Sequence, residues 1–146
     1  MSCTINDGAR YVGQTYTAGH SGTLSGVAIS VQAHKTQFPL RVSIRDTANG
    51  LPGTTILGTT TLGTSDSPLT NIIQFSPPVK QVAGQQYAIV VDYPDAPPIG
   101  PEHAQGDWDG SANSCYAGGS AVSSVDGATW SAGSYDLHFK VLIKGN

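Results

Sequence analysis

The stretch LRVSIRD, residues 40–46, alternates apolar and polar side chains with a period of two. Leu40, Val42 and Ile44 fall on one side of an extended chain and Arg41, Ser43 and Arg45 on the other, the pattern of a strand with one face against a core. GVAISVQA repeats it, with Val27, Ile29 and Val31 set against Ser30 and Gln32. QQYAIVVDY places Tyr87, Ile89, Val91 and Tyr93 on one face. YDLHFKVLI does the same with Leu137, Phe139, Val141 and Ile143, opposed by Asp136, His138 and Lys140. QTYT, ILGTTTL, NIIQFS, AVSS and TWSA are shorter candidates, and no window carries a helical stripe. Turn chemistry separates the runs: NGLPG at 49–53, SPP at 76–78, VAGQ at 82–85 and VDGA at 125–128. Apolar residues that recur only at period two are buried by laying sheet on sheet or by closing one sheet on itself. The expected fold is therefore all-β, an antiparallel β-sandwich or barrel, with no solenoid repeat.

Composition narrows the class. The chain's 146 residues suit one domain, spanning 1–146, with a sizeable core. Charged residues make up 12%, too few for a typical disordered chain, and the net charge of −3 offers no basic surface to a nucleic-acid backbone. No apolar run approaches the length of a membrane-spanning helix. The start, Met1–Thr4, has neither the basic nor the apolar region of a signal peptide, so the domain is expected to be excised from a larger secreted protein. The Ser-, Thr- and Gly-rich composition with few lysines fits an extracellular origin. Cys3 and Cys115 then form one bridge or remain two unrelated thiols. Closing so long a loop contributes about 4–5 kcal/mol in the chain-entropy view, if the geometry permits the bond.

The alternation breaks between Pro94 and Gly119, and a structureless connection of that length inside a compact domain is usually functional or disordered. Its aromatic residues argue against disorder. The segment GDWDGSAN offers an aromatic platform, Trp108, for the apolar face of a sugar ring. Asp107, Asp109, Gln105 and Asn113 stand ready for its hydroxyls, and Glu102 and His103 lie just upstream. Tyr93 and Tyr116 extend the platform or anchor the loop. The competing reading folds Trp108 into the core beneath the loop, with the aspartates capping turns. A fallback surface is a concave sheet face lined by Arg41, Arg45 and Gln74.

The runs QTYTAGHSGTLSGVAISV, LRVSIRDTANGLPGTTILGTTTL, IIQFSPPVKQVAGQQYAIVV, YAGGSAVSSVDGATW and YDLHFKVLI together resemble bacterial β-sandwich domains appended to secreted enzymes and surface proteins. These domains look like jelly-roll carbohydrate-binding modules, so the resemblance implies a single antiparallel β-sandwich of jelly-roll-like type. The resemblance implies a non-catalytic sugar-binding or cell-surface role and names no sugar. The expectation is a module that binds a polysaccharide and targets an attached catalytic domain, with a plant β-glucan as the first candidate because stacking on an exposed Trp108 suits equatorially linked chains. A structural or adhesion domain without sugar affinity is the alternative. The resemblance rests on scaffold, most specifically SIRD…GLPG, VAGQQYAIV and YDLHFK, and does not extend to the segment 94–115. SVDGATW, residues 124–130, is similar to the Asp-box hairpin of sialidases, one residue short, and implies turn and packing roles for Asp126 and Trp130.

Metal and catalytic readings are weaker. Asp107, Asp109 and Asn113 supply too few oxygens alone for calcium. Other jelly-roll modules hold a structural calcium near the termini, which points to Asp7 and Asp136. His20, His34, His103 and His138 lack zinc-ligand spacing. Glu102 is the only glutamate, no G-x-S-x-G elbow is present, and neither cysteine sits in a nucleophile motif, so the chain is not read as an enzyme. Mass spectrometry of unreduced peptides decides the state of the cysteines: a linked Cys3–Cys115 pair is expected, and two free thiols under oxidising conditions rule it out.

Overall fold

The computed structural model describes residues 2–5, 11–29, 31–34, 39–62, 73–75, 77–94, 105–111, 116, 118–133 and 136–144, with the backbone alone for 2–5, 31–34, 105–107 and 109–111. Among these residues the structure is all-β. Thirteen strands follow in order: β1 (Ser2–Ile5), β2 (Tyr11–Thr17), β3 (Gly22–Ile29), β4 (Val31–His34), β5 (Leu40–Ala48), β6 (Leu51–Leu62), β7 (Lys80–Gln81), β8 (Gln86–Asp92), β9 (Gln105–Ser111), β10 (Ala121–Ser124), β11 (Trp130–Ala132), β12 (Asp136–Leu137) and β13 (Phe139–Lys144). All strand pairings among the described residues are antiparallel. A six-stranded sheet runs β11-β10-β2-β8-β5-β6 and a three-stranded one β13-β3-β7, while β9 gathers β1, β4 and β12 into a third set. β3 leads into β4 across one residue, and β12 into β13 across His138. The six-stranded and three-stranded sheets enclose one core between them, and the architecture is an antiparallel β-sandwich.

The expected alternation positions the main core. Val12 and Tyr16 of β2, Leu40, Val42 and Ile44 of β5, and Tyr87, Ile89 and Val91 of β8 are buried against Leu24, Val27 and Ile29 of β3. Leu137 is buried with them, and Phe139, Val141 and Ile143 pack half-exposed at the margin. The six-stranded sheet is also covered on its outer side. Ala88, Val90, Val122 and Trp130 form a second cluster with Tyr11 and Leu51, so β8 is buried on both faces. The unbroken run AIVV in its sequence is the signature of a strand covered twice.

Three differences from the sequence reading follow from backbone chemistry. First, residues 105–111, read as loop, form strand β9. Second, the turn read over 49–53 is confined to Asn49 and Gly50, which take φ of 55° and 79°. That positive pair is the two-residue turn that suits strand twist, and β6 already begins at Leu51. Third, the run 27–31 is split between β3 and β4. In the NIIQFS run, Ile73 makes a single bridge with Val27, while residues 71, 72 and 76 lie outside the described set.

A polar bridge centred on Gln14 crosses the apolar interior. Gln14 is fully buried; its amide donates to Asp136 Oδ1 at 3.1 Å and to the Thr15 carbonyl, and its Oε1 accepts from the Leu137 N–H at 2.7 Å. The other Asp136 oxygen accepts from the Tyr116 N–H at 3.0 Å. Gln14→Leu leaves a buried N–H and a buried carboxylate oxygen without partners, at about 1–3 kcal/mol each. We expect that variant to lose about 3 kcal/mol or more in chemical denaturation; a loss under about 1 kcal/mol would show that the bridge is dispensable.

Candidate functional site

The aromatic platform expected at Trp108 is absent. Trp108 lies at the centre of β9, opposite Cys3 on one side and Val31 on the other, and is 0% exposed. Its indole N–H donates to the His138 carbonyl at 2.9 Å, at the break between β12 and β13. The ring belongs to the main core, and in this conformation it offers no face to a sugar. Gln105, Asp107 and Asp109 occupy the same strand in register with His34, Gln32 and Ser2. Their side chains lie outside the described residues, as do Asp7, Glu102, His103, Asn113 and Cys115 in full. The Cys3–Cys115 pair and the Asp7 ligand therefore fall outside the described residues too.

Tyr116 fares differently. It is half-exposed and edges against Phe139, with ring centroids 5.3 Å apart at 79°. Its backbone is held by Asp136, and its hydroxyl accepts from the Thr17 N–H at 3.0 Å. Together with Tyr16, Thr17, His20, Gln81 and Val141 it lines a cleft of about 150 Å³ between the two sheets. Tyr16 closes the floor: it packs on Phe139 and Tyr87 and donates to Gln81 Oε1 at 3.1 Å, while Gln81 donates to the His20 carbonyl. Burial, with Tyr87 and Tyr116 nearby, pushes the Tyr16 phenol well above its ordinary pKa, so it stays protonated. The exposed His20 and Thr17 stand at the rim. Sequence reading named Tyr116 for the site; it placed Phe139 only on a core face and Tyr16 only in a short strand, and nothing in the sequence marks Gln81.

The hairpin joining β10 and β11 is the second candidate. Asp126 Oδ1 accepts from the N–H groups of Ala128 and Thr129 and from the Ser124 hydroxyl, while Gly127, at φ 78°, donates to Ser124 Oγ. These bonds, led by that from Thr129, lower the Asp126 pKa from 3.8 to about 2. Trp130 is 8% exposed and edges against Tyr11. Asp126 and Trp130 thus hold the turn and packing places that the Asp-box likeness implied. Beside them a shallow groove of about 310 Å³ is lined by Ser123, Val125, Thr129 and Ser131 and has no aromatic wall.

The fallback arginine surface is not assembled. Arg41 forms a two-pronged ion pair with Asp92, at 2.9 and 2.8 Å. Arg45 is buried, its guanidinium 5.9 Å from the Tyr11 ring centre and 5.7 Å from that of Trp130, and it donates to the Gly53 and Gly127 carbonyls. Burial pushes its pKa below the usual arginine value. Gln74 is exposed, but its carbonyl accepts from Thr60 at the other layer. Asp136, named for calcium, has both oxygens engaged by protein donors, and no group of three His, Cys, Asp or Glu suited to a metal ion occurs among the described residues.

Comparison of the chain with protein-family models, with curated proteins and with solved structures finds no match.

Two measurements test these assignments. Trp108→Ala and Trp130→Ala should both lower stability by about 3–5 kcal/mol, with the greater loss at the fully buried Trp108; a Trp108→Ala protein that melts normally would place that ring outside the core. Asp126, its folded pKa depressed, contributes stability that is present above about pH 4 and lost as the pH falls towards 2. Its carboxyl carbon should titrate near pH 2 by NMR, with amide protection at Ala128 and Thr129 failing over the same range. A midpoint near 4 would refute the turn role.

Proposed function

We propose that this domain is a non-catalytic carbohydrate-binding module of a secreted bacterial protein, directing an attached enzyme to a polysaccharide. Its glycan contact is the cleft at Tyr116. The observation that carries the reading is the half-exposed Tyr116–Phe139 pair over a cleft whose rim holds polar groups. A pyranose has an apolar C–H face and a hydroxyl rim, and an aromatic wall beside hydrogen-bonding side chains matches both. The wall is also pre-set. Asp136 fixes the Tyr116 backbone and Thr17 fixes its hydroxyl, so little ordering cost falls on binding. The cleft is smaller than the roughly 300 Å³ at which pockets for drug-sized ligands begin, which favours one sugar residue over a buried chain.

The burial of Trp108 favours a second reading, a structural or adhesion domain with no sugar affinity, because it removes the platform on which stacking was first expected. Affinity electrophoresis against soluble polysaccharides, β-glucans among them, separates the two. On the first reading at least one polysaccharide retards the protein. Tyr116→Ala then weakens binding by about 2 kcal/mol, and His20→Ala, at an exposed rim position, weakens it less. Retardation by none of the panel leaves the adhesion reading standing. Retardation that Tyr116→Ala leaves unchanged in a folded protein moves the site elsewhere.

A further inference from the structure

The structure assigns an interaction edge to the second half of β6. We propose that residues 58–62 pair antiparallel with the same residues of a second copy of this chain, joining two six-stranded sheets.

A sheet edge presents unpaired N–H and C=O groups, and proteins blunt such edges with short strands, charges, prolines or bulges. Four strands end the six- and three-stranded sheets: β11, β6, β13 and β7. β11 has three residues, and β7 has two and follows Pro77 and Pro78. β13 carries the exposed Lys140 and Lys144. β6 differs. It runs for 12 residues, LPGTTILGTTTL, without a charged side chain. Its first half contains Pro52 and faces two register shifts between Ile44 and Thr47, which twist that part of the edge away. Its second half keeps an unbroken register, Gly58 with Ile44 through Leu62 with Leu40. Among the described residues β6 pairs with β5 alone.

The inner face of this half is sealed by its own chain. Phe75, Pro77 and Val79 stand against Gly58, and the Thr60 hydroxyl donates to the Gln74 carbonyl. Among the described residues, what remains presented is the backbone edge and an outer face with Thr61 exposed and Thr59 half-exposed. The edge itself selects a β-strand as partner, and symmetry selects which one. A two-fold axis perpendicular to the sheet places residues of the same face opposite one another. Centred on Thr60, it sets Thr60 against Thr60, Thr59 against Thr61 and Gly58 against Leu62. Facing threonines are favourable cross-strand neighbours, and an uncharged segment meets its copy without repulsion. So short a contact lies at the small end of protein interfaces, so the association is concentration-dependent.

Sedimentation of the protein, kept reduced to exclude cross-linking through Cys3 and Cys115, tests this. A reversible dimer is expected, with hydrogen exchange at Thr59–Leu62 slowing as concentration rises. Thr61→Lys places a charge on the edge at an exposed position opposite Arg41, and should abolish the dimer in a protein that still folds with a slightly lowered melting temperature, whereas Ser131→Lys on β11 should leave it intact. A monomer at about 1 mM overturns the proposal. So does a dimer that survives Thr61→Lys, or one that Ser131→Lys breaks. If Thr61→Lys fails to fold, the concentration dependence of exchange at Thr59–Leu62 decides alone: protection elsewhere but not there refutes the pairing.

Discussion

The sandwich depends on one buried amide–carboxylate bridge. Gln14 stands in the middle of β2 with no exposure, where alternation would place an apolar side chain. It satisfies the backbone of Leu137 and one oxygen of Asp136, and the other oxygen holds Tyr116. Three separate elements are thus tied through two side chains: the six-stranded sheet, the entry to the last strands and the wall of the cleft. Apolar packing is non-directional and tolerates a sliding of one sheet over the other. A polar pair in a low-dielectric interior does not, because any displacement strands a desolvated donor or acceptor. The bridge therefore fixes how the layers are placed, and the geometry of Tyr116 follows from it.

Much of the fold was legible because burial on one face leaves a period of two. Leu40–Val42–Ile44 and Tyr87–Ile89–Val91 stand in the core as the pattern requires. The segment around Trp108 was misread for an instructive reason. Asp107–Trp108–Asp109 is polar–apolar–polar, the same alternation as Arg41–Val42–Ser43, and so a strand signal. Three residues are too few to stand out within the long stretch from Pro94 to Gly119, where alternation otherwise lapses. Strand geometry allows a buried Trp108 between two aspartates, since successive residues need not share an environment. The second cluster was less legible. Tyr11, Val122 and Trp130 lie far apart in sequence, and only the hairpin turned by Asp126 brings the last of them over the sheet.

That hairpin explains how a sheet with few charges can bury a guanidinium. Arg45 and Arg41 both stand at outward positions of β5, yet their surroundings differ. Arg41 meets the Asp92 carboxylate directly. Arg45 touches neutral groups, two ring faces and the carbonyls of Gly53 and Gly127, with the Asp92 carboxylate acting on it from further away. These carbonyls come from opposite sides, one from β6 and one from the β10–β11 turn. The cation thereby joins two chain segments that do not pair with each other, and the rings shield it from water. Aromatic faces and carbonyl dipoles stabilise a positive charge without the full desolvation of a second ion. Sequence shows Arg45 only as a polar residue on a strand, because its partners are supplied by tertiary placement.

The cleft shares this dependence on placement. Tyr116 follows the stretch that looked most like a binding loop, but the residues around it come from β2, β7 and β13. No local motif could announce such a group, since each member reads as ordinary core or strand surface in its own segment. What distinguishes Phe139, Val141 and Ile143 is that inward positions on a terminal strand remain half-exposed. Among the described residues the margin of the sandwich is therefore open on the side where Tyr116 stands, and Asp136 holds the tyrosine's backbone there. A site of this kind arises where two sheets part, so its chemistry is set by which side chains line the gap and its rigidity by the polar bond behind them.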